Sequence, residues 1–183
     1  MKFSQLLAIL VLSLPLDARS DGECIPAEQA QMQAVDDLYV PNSAFSLGIC
    51  YLAEPPAKDG IFAQYHRDLV VLKEGAHRVA SHATEMPITV GRISDLVLEK
   101  NTDRFVAISY GAGEFCNGIV IFDTNKRIPA ASLACVSDSD ICHVTEIDDR
   151  ACIALVECRD MGAEGEPPTR NEPVTKRLSL CEK

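Results

Sequence analysis

The chain lacks most of the patterns that announce a chemistry. Its eight cysteines include no Cys-x-x-Cys pair, so the paired knuckles of a structural zinc site are missing. Gly111 and Gly113 begin a Gly-x-Gly run, but Cys116 stands where a third glycine would complete a dinucleotide fingerprint. That fingerprint also needs a βαβ unit. The four histidines, His66, His77, His82 and His143, include no pair at helical metal-ligand spacing. Asp138-Ser139-Asp140 has neither the glycine nor the distal glutamate of a calcium loop. No metal and no cofactor are expected.

Basic charge is scarce as well. Seventeen Lys and Arg face 27 Asp and Glu, for a net charge of −10. Phosphate binding needs a basic footprint, so nucleic acid is not an expected partner, and an anionic membrane surface is disfavoured for the same reason. Beyond the N-terminus no apolar run approaches the ~20 residues that a bilayer crossing takes. Insertion in a membrane is not expected.

Two near-motifs fail on context. Ala107-Ile108-Ser109-Tyr110-Gly111 approaches the Gly-x-Ser-x-Gly elbow of a hydrolase, with Ala in place of the first Gly. That elbow joins a strand to a helix and needs an acid and a histidine further on. Here strands follow, and His143 is the only later histidine. Cys142-His143 suggests a thiol–imidazole pair, but neighbours on a strand point to opposite faces. No enzyme can be assembled from these parts.

The first residues carry an export pattern. Lys2 precedes the apolar run Leu6–Leu16, and Ala18-Arg19-Ser20 offers small residues at a cleavage site. Residues 1–20 are therefore expected to be a signal peptide cleaved after Ser20, with Ala18 as the alternative, and the periplasm is the expected address. Cleavage removes Lys2, Arg19 and Asp17 and leaves 163 residues with 15 basic and 26 acidic side chains, net −11. Acidity of this size favours solubility and also steers a basic partner. All eight cysteines lie beyond the signal, and an even number in an exported chain implies disulfides.

Residues 21–183 read as a single β-rich domain. Pro26–Leu38 has apolar residues at Ala27, Ala30, Ala34 and Leu38, which predicts one short N-terminal helix. From Phe45 onward, short strands alternate with turns: Lys100–Asp103, Thr124–Arg127 and Asp148–Arg150 each join two of them. Residues 161–173, rich in Gly, Pro and charge, predict a mobile loop. The expected fold is all-β and disulfide-stapled, an antiparallel meander of hairpins arranged as a sandwich, a barrel or a propeller-like stack.

The chain is organised around Arg104–Phe122. Two β-branched and aromatic runs, Phe105–Ser109 and Ile119–Phe122, flank the small-residue loop Gly111-Ala112-Gly113 and then Glu114, Phe115 and Cys116. A loop held between two core strands is rigidly based, and such loops often carry function. If Thr124–Arg127 is the turn, Asp123 pairs with Ile128, and continuing outward sets Cys116 opposite Cys135. That pair is the disulfide candidate that register supports, provided that no bulge intervenes.

An exported, acidic, disulfide-bearing β-protein with such a loop resembles the periplasmic immunity proteins kept against type VI secretion effectors, in particular those that neutralise peptidoglycan amidases. The resemblance rests on the signal, the meander, the cysteines and Ser109-Tyr110-Gly111-Ala112-Gly113-Glu114. It implies that this loop plugs the cleft of a basic Cys–His amidase. Ser109 would contact the catalytic histidine, Tyr110 would be the apolar anchor, and Gly111 and Gly113 would allow close backbone approach. Ala112 and Glu114 belong to the same partner-binding stretch. An inhibitor of another wall hydrolase such as a lysozyme, or a periplasmic ligand-binding protein, would share these features.

Overall fold

The computed structural model describes residues 23–53, 65–87, 91–111, 117–134, 140–162, 167–168 and 170–181. The expected signal peptide lies outside them. Among the described residues there are twelve strands and no α-helix. Three antiparallel sheets follow one another along the chain. The first is built on β3 (Phe45–Leu52), β4 (Tyr65–Glu74) and β5 (His77–Pro87), with the two-residue strands β1 (Cys24–Ile25) and β2 (Leu38–Tyr39) sharing the outer edge of β3. The second runs β6 (Asp95–Asn101), β7 (Phe105–Gly111), β8 (Asn117–Asp123) and β9 (Ile128–Leu133). The third is β10 (Asp140–Asp148), β11 (Ile153–Asp160) and β12 (Val174–Ser179).

Strand alternation stacks these sheets. The even-numbered Val106, Ile108, Val120 and Phe122 pack against Leu47, Val70 and Leu72 of the first sheet. The odd-numbered Phe105, Ala107, Ile119 and Ile121 pack against Val144, Ala154 and Val156 of the third. Period-2 side chains on β7 and β8 thus feed two cores at once, and every residue of β7 is buried. The continuous apolar runs mark strands covered on both faces, as expected. The hairpins expected at Thr124–Arg127 and Asp148–Arg150 are present between β8 and β9 and between β10 and β11.

The expected helix is not. Residues 26–32 make a single turn, closed by hydrogen bonds from Ala30 N to Pro26 O, Gln31 N to Glu28 O and Met32 N to Ala27 O. Gln31 sits at φ +59°, and this pattern is the Schellman stop that ends a helix. The residues that follow run as a strap to β2, held by the ion pair of Lys73 Nζ with Asp37 Oδ1 at 2.7 Å. Helical spacing in this stretch was outweighed by the two anchors in β3. One is the Cys24–Cys50 disulfide, and the other is the pairing of β2 with β3.

All six described cysteines are bridged, as Cys24–Cys50, Cys142–Cys158 and Cys152–Cys181. With 16 to 29 residues between partners, each contributes about 3 kcal/mol in the chain-entropy model. Cys116 and Cys135 lie outside the described residues. The register expected to set them opposite each other does not run unbroken through β8 and β9. Asp123↔Ile128 and Phe122↔Pro129 pair as expected, but a bulge follows and Ile121 faces Ala131. One extra residue in β9 offsets everything further out.

The β8–β9 turn is organised by Asp123. Its Oδ1 accepts from the amides of Asn125 and Lys126 at 3.1 and 3.0 Å, and its Oδ2 accepts from Arg104 Nε and Nη2 at 3.0 and 2.7 Å. Arg104 also lies over the Phe105 ring, 4.7 Å from its centre. Burial by itself would raise the Asp123 pKa, but the Arg104 and turn-amide hydrogen bonds outweigh it and hold it below the ordinary 3.8. A carboxylate with a depressed folded pKa adds stability above its unfolded value and loses it as pH falls through the folded one. Asp123→Asn is therefore expected to cost about 1.5–3 kcal/mol at neutral pH. In urea melts the variant should lack that share of the acid-induced loss seen in wild type below pH 4. An unchanged acid limb would show that the carboxylate carries no such role.

Candidate functional site

Of the predicted site residues, the central strands bring Ser109 to the seam between the second and third sheets and Tyr110 to the opposite face. Ser109 is on β7, where its odd position faces the third sheet. It is 4% exposed, and its Oγ donates to Glu99 Oε1 at 2.7 Å. Tyr110 is 3% exposed in the core shared with the first sheet. Its ring lies 6.2 Å from that of His82 and occupies the space beside Gly118, where any side-chain carbon would overlap it. Burial pushes the Tyr110 pKa up to about 12 and the His82 pKa down. Gly111 is buried at the end of β7. Neither Ser109 nor Tyr110 presents its side chain at the surface. Ala112, Gly113 and Glu114 lie outside the described residues.

Glu99, which sequence reasoning did not single out, joins the pieces. In β6, Leu98 pairs with Ile108 and Lys100 with Ala107, so Glu99 is the extra residue of a bulge. Bulges re-aim side chains. This one sends the Glu99 carboxylate between Ser109 and His143 of β10, whose Nδ1 lies 3.1 Å from Oε1 and 3.3 Å from Oε2. The Glu99 side chain is 8% exposed and that of His143 is 59% exposed. The chain Ser109–Glu99–His143 runs from a core strand of one sheet to the surface of the next. It is not a nucleophilic triad. That arrangement needs the serine hydroxyl bonded to an imidazole, and here it is bonded to the carboxylate. Cys142, next to His143, is buried in its disulfide, so the two neighbours do face opposite ways.

Asn117 fastens the same seam. Its Nδ2 donates to Cys142 O at 2.6 Å and its Oδ1 accepts from Cys142 N at 2.8 Å. The amide side chain substitutes for a strand at the junction between β8 and β10.

A second polar cluster sits near the 26–32 turn. Asp68 of β4 is fully buried. Its Oδ1 accepts from Arg92 Nη1 at 2.6 Å and from Leu52 N at 3.3 Å, while Arg92 Nη1 also donates to Leu52 O at 3.1 Å. Asp68 Oδ2 has no hydrogen-bond partner among the described residues. Burial raises the Asp68 pKa, and the Arg92 charge and hydrogen bonds offset it only in part. A cleft of about 540 Å³ between the 26–32 turn and this cluster is lined by Gln29, Gln31, His66, Gly91 and Arg92, and one of about 580 Å³ beside it by Cys24, Ile25 and Leu52. Because Arg92 already serves Asp68 and Leu52, the cluster fastens the end of β3 that pairs with β1 rather than offering a free cation to a ligand. Among the described residues no group of three His, Cys, Asp or Glu side chains could hold a metal. No described helix is long and apolar enough to cross a membrane.

Comparison with family models, with curated proteins and with solved structures finds no match for this chain. The functional reading therefore rests on the seam.

Ser109→Ala should remove a donor from a nearly buried carboxylate and cost about 1.5–3 kcal/mol. His143→Ala should cost under about 1 kcal/mol, since a contact to a largely exposed side chain contributes little. Urea unfolding of both variants tests the order, and a larger loss for His143→Ala would contradict the geometry.

Proposed function

We propose that this chain is an exported, periplasmic immunity-type inhibitor, without catalysis of its own, that binds a basic peptidoglycan amidase and occludes its active site. The observation that best supports this is the base of the connection between Gly111 and Asn117. β7 is buried throughout, β8 nearly so, and Asn117 is bonded to the β10 backbone. The five residues between them start and end at fixed points. A segment anchored in this way has less freedom to lose on association, which favours tight binding. The net charge of −10 steers encounter with a basic enzyme and makes the association rate fall with salt. Disulfide stapling suits an oxidising compartment. Within this reading, Ala112, Gly113 and Glu114 carry the contact, while Ser109, Tyr110 and buried Gly111 support it from β7.

The test is affinity. The mature chain is immobilised and titrated with a Cys–His peptidoglycan amidase and, separately, with a lysozyme. The amidase is expected to bind, and Gly113→Val is expected to weaken binding at least about tenfold, or ~1.4 kcal/mol, with an unchanged thermal melt. Tyr110→Ala should instead lower the melt, because it hollows the core. A normally folded Gly113→Val that binds as tightly as wild type would move the contact elsewhere. Preference for the lysozyme would reassign the target, and binding to neither would end the reading.

A further inference from the structure

The Ser109–Glu99–His143 chain does more than a seam requires. The second and third sheets already share a continuous apolar core, and Asn117 ties them with two short hydrogen bonds. An imidazole left 59% exposed adds little to that attachment. Yet its orientation is closely controlled. The Glu99 carboxylate engages Nδ1 with both oxygens, and a buried serine holds that carboxylate in turn. Carboxylate contact at one ring nitrogen sets the tautomer and leaves the other nitrogen as an acceptor. The same device orients histidines that serve as ligands. No hydrogen bond engages His143 Nε2 among the described residues. The strand that supplies Glu99 bulges at that residue, and β10 bulges just past His143, between Val144 and Glu146. Bulges gather beside sites where a side chain must be aimed.

The surroundings indicate what would meet that nitrogen. On β6, Leu96 and Leu98 turn to the first sheet, which leaves Asp95 and Val97 on the other side. Val97 is 47% exposed and pairs with Ser109, and exposed Asp95 pairs with Gly111. The patch therefore adjoins the end of β7 and combines an acceptor nitrogen, an apolar residue and a carboxylate. Donor-rich basic surface is complementary to it, and the acidity of the whole chain acts in the same sense.

We infer that His143 is a partner-recognition residue: its Nε2 accepts an N–H or O–H from a basic protein, with Glu99 and Ser109 as positioning residues that fix the ring. The inference rests on the proposed function and extends its contact from the Gly111–Asn117 connection onto the third sheet.

Two measurements test it. Nitrogen NMR of the full mature chain should show neutral His143 as the Nδ1–H tautomer, and Glu99→Gln should abolish that preference. Binding to the Cys–His amidase used as probe should fall at least tenfold for His143→Ala and recover in part for His143→Gln, whose amide oxygen can stand near the Nε2 position. An Nε2–H tautomer in wild type overturns the inference whatever the partner does. Undiminished binding by His143→Ala overturns it while leaving the inhibitor reading intact. If neither wild type nor variants bind, both fall together.

Discussion

The middle sheet is covered on both faces, and the rest of the molecule follows from that constraint. A strand buried on two sides can carry almost no unpaired polar group, because each would cost about 1–3 kcal/mol. The polar side chains of the second sheet are accordingly found where strands end or bulge. Asp123 closes the β8–β9 turn, Asn117 begins β8, and Glu99 occupies the β6 bulge. Ser109, the one serine within β7, is satisfied by Glu99 at once.

Two buried aspartates show how differently the same group can be used. Asp123 receives four hydrogen bonds and is stabilised as an anion. Asp68 is buried more completely than its partners can offset, with one oxygen left without a hydrogen bond among the described residues. Its raised pKa gives the opposite linkage: its contribution is fully present at low pH and is lost as pH rises through the folded value. The two terms oppose each other, so Asp68 offsets part of the acid response that Asp123 contributes. Arg92 keeps Asp68 tolerable, and both are tied to Leu52, where β1 meets β3.

Much of the architecture was legible in the sequence, for identifiable reasons. Phe105–Ser109 and Ile119–Phe122 are unbroken β-branched and aromatic runs, which is how a doubly covered strand reads. The turns at Thr124–Arg127 and Asp148–Arg150 are marked by short polar residues. The N-terminal helix was misread because Ala27, Ala30 and Ala34 have helical spacing, while the constraint that defeats it, Cys24 bonded to Cys50, is non-local. The β9 bulge left no mark in composition, so register could not be carried from Asp123 to Cys116. Glu99 was invisible for a similar reason. A glutamate in a charged stretch reads as solvent-facing, and only the extra residue in β6 turns it inward. Tyr110 was expected as the apolar anchor of the binding loop, but the bare backbone of Gly118 gives its ring a place in the core.

The two bridges of the third sheet interleave along the chain, because Cys152 lies between Cys142 and Cys158 while its own partner, Cys181, comes later. During oxidation Cys142 therefore meets Cys152 as a nearer competitor than its true mate. Strand pairing decides between them. Once β10 lies against β11, Cys142 is directly opposite Cys158 and Cys152 is held back in the turn. Correct sulfur chemistry then depends on backbone hydrogen bonds made beforehand, and any lesion that delays this hairpin converts a folding fault into a covalent one.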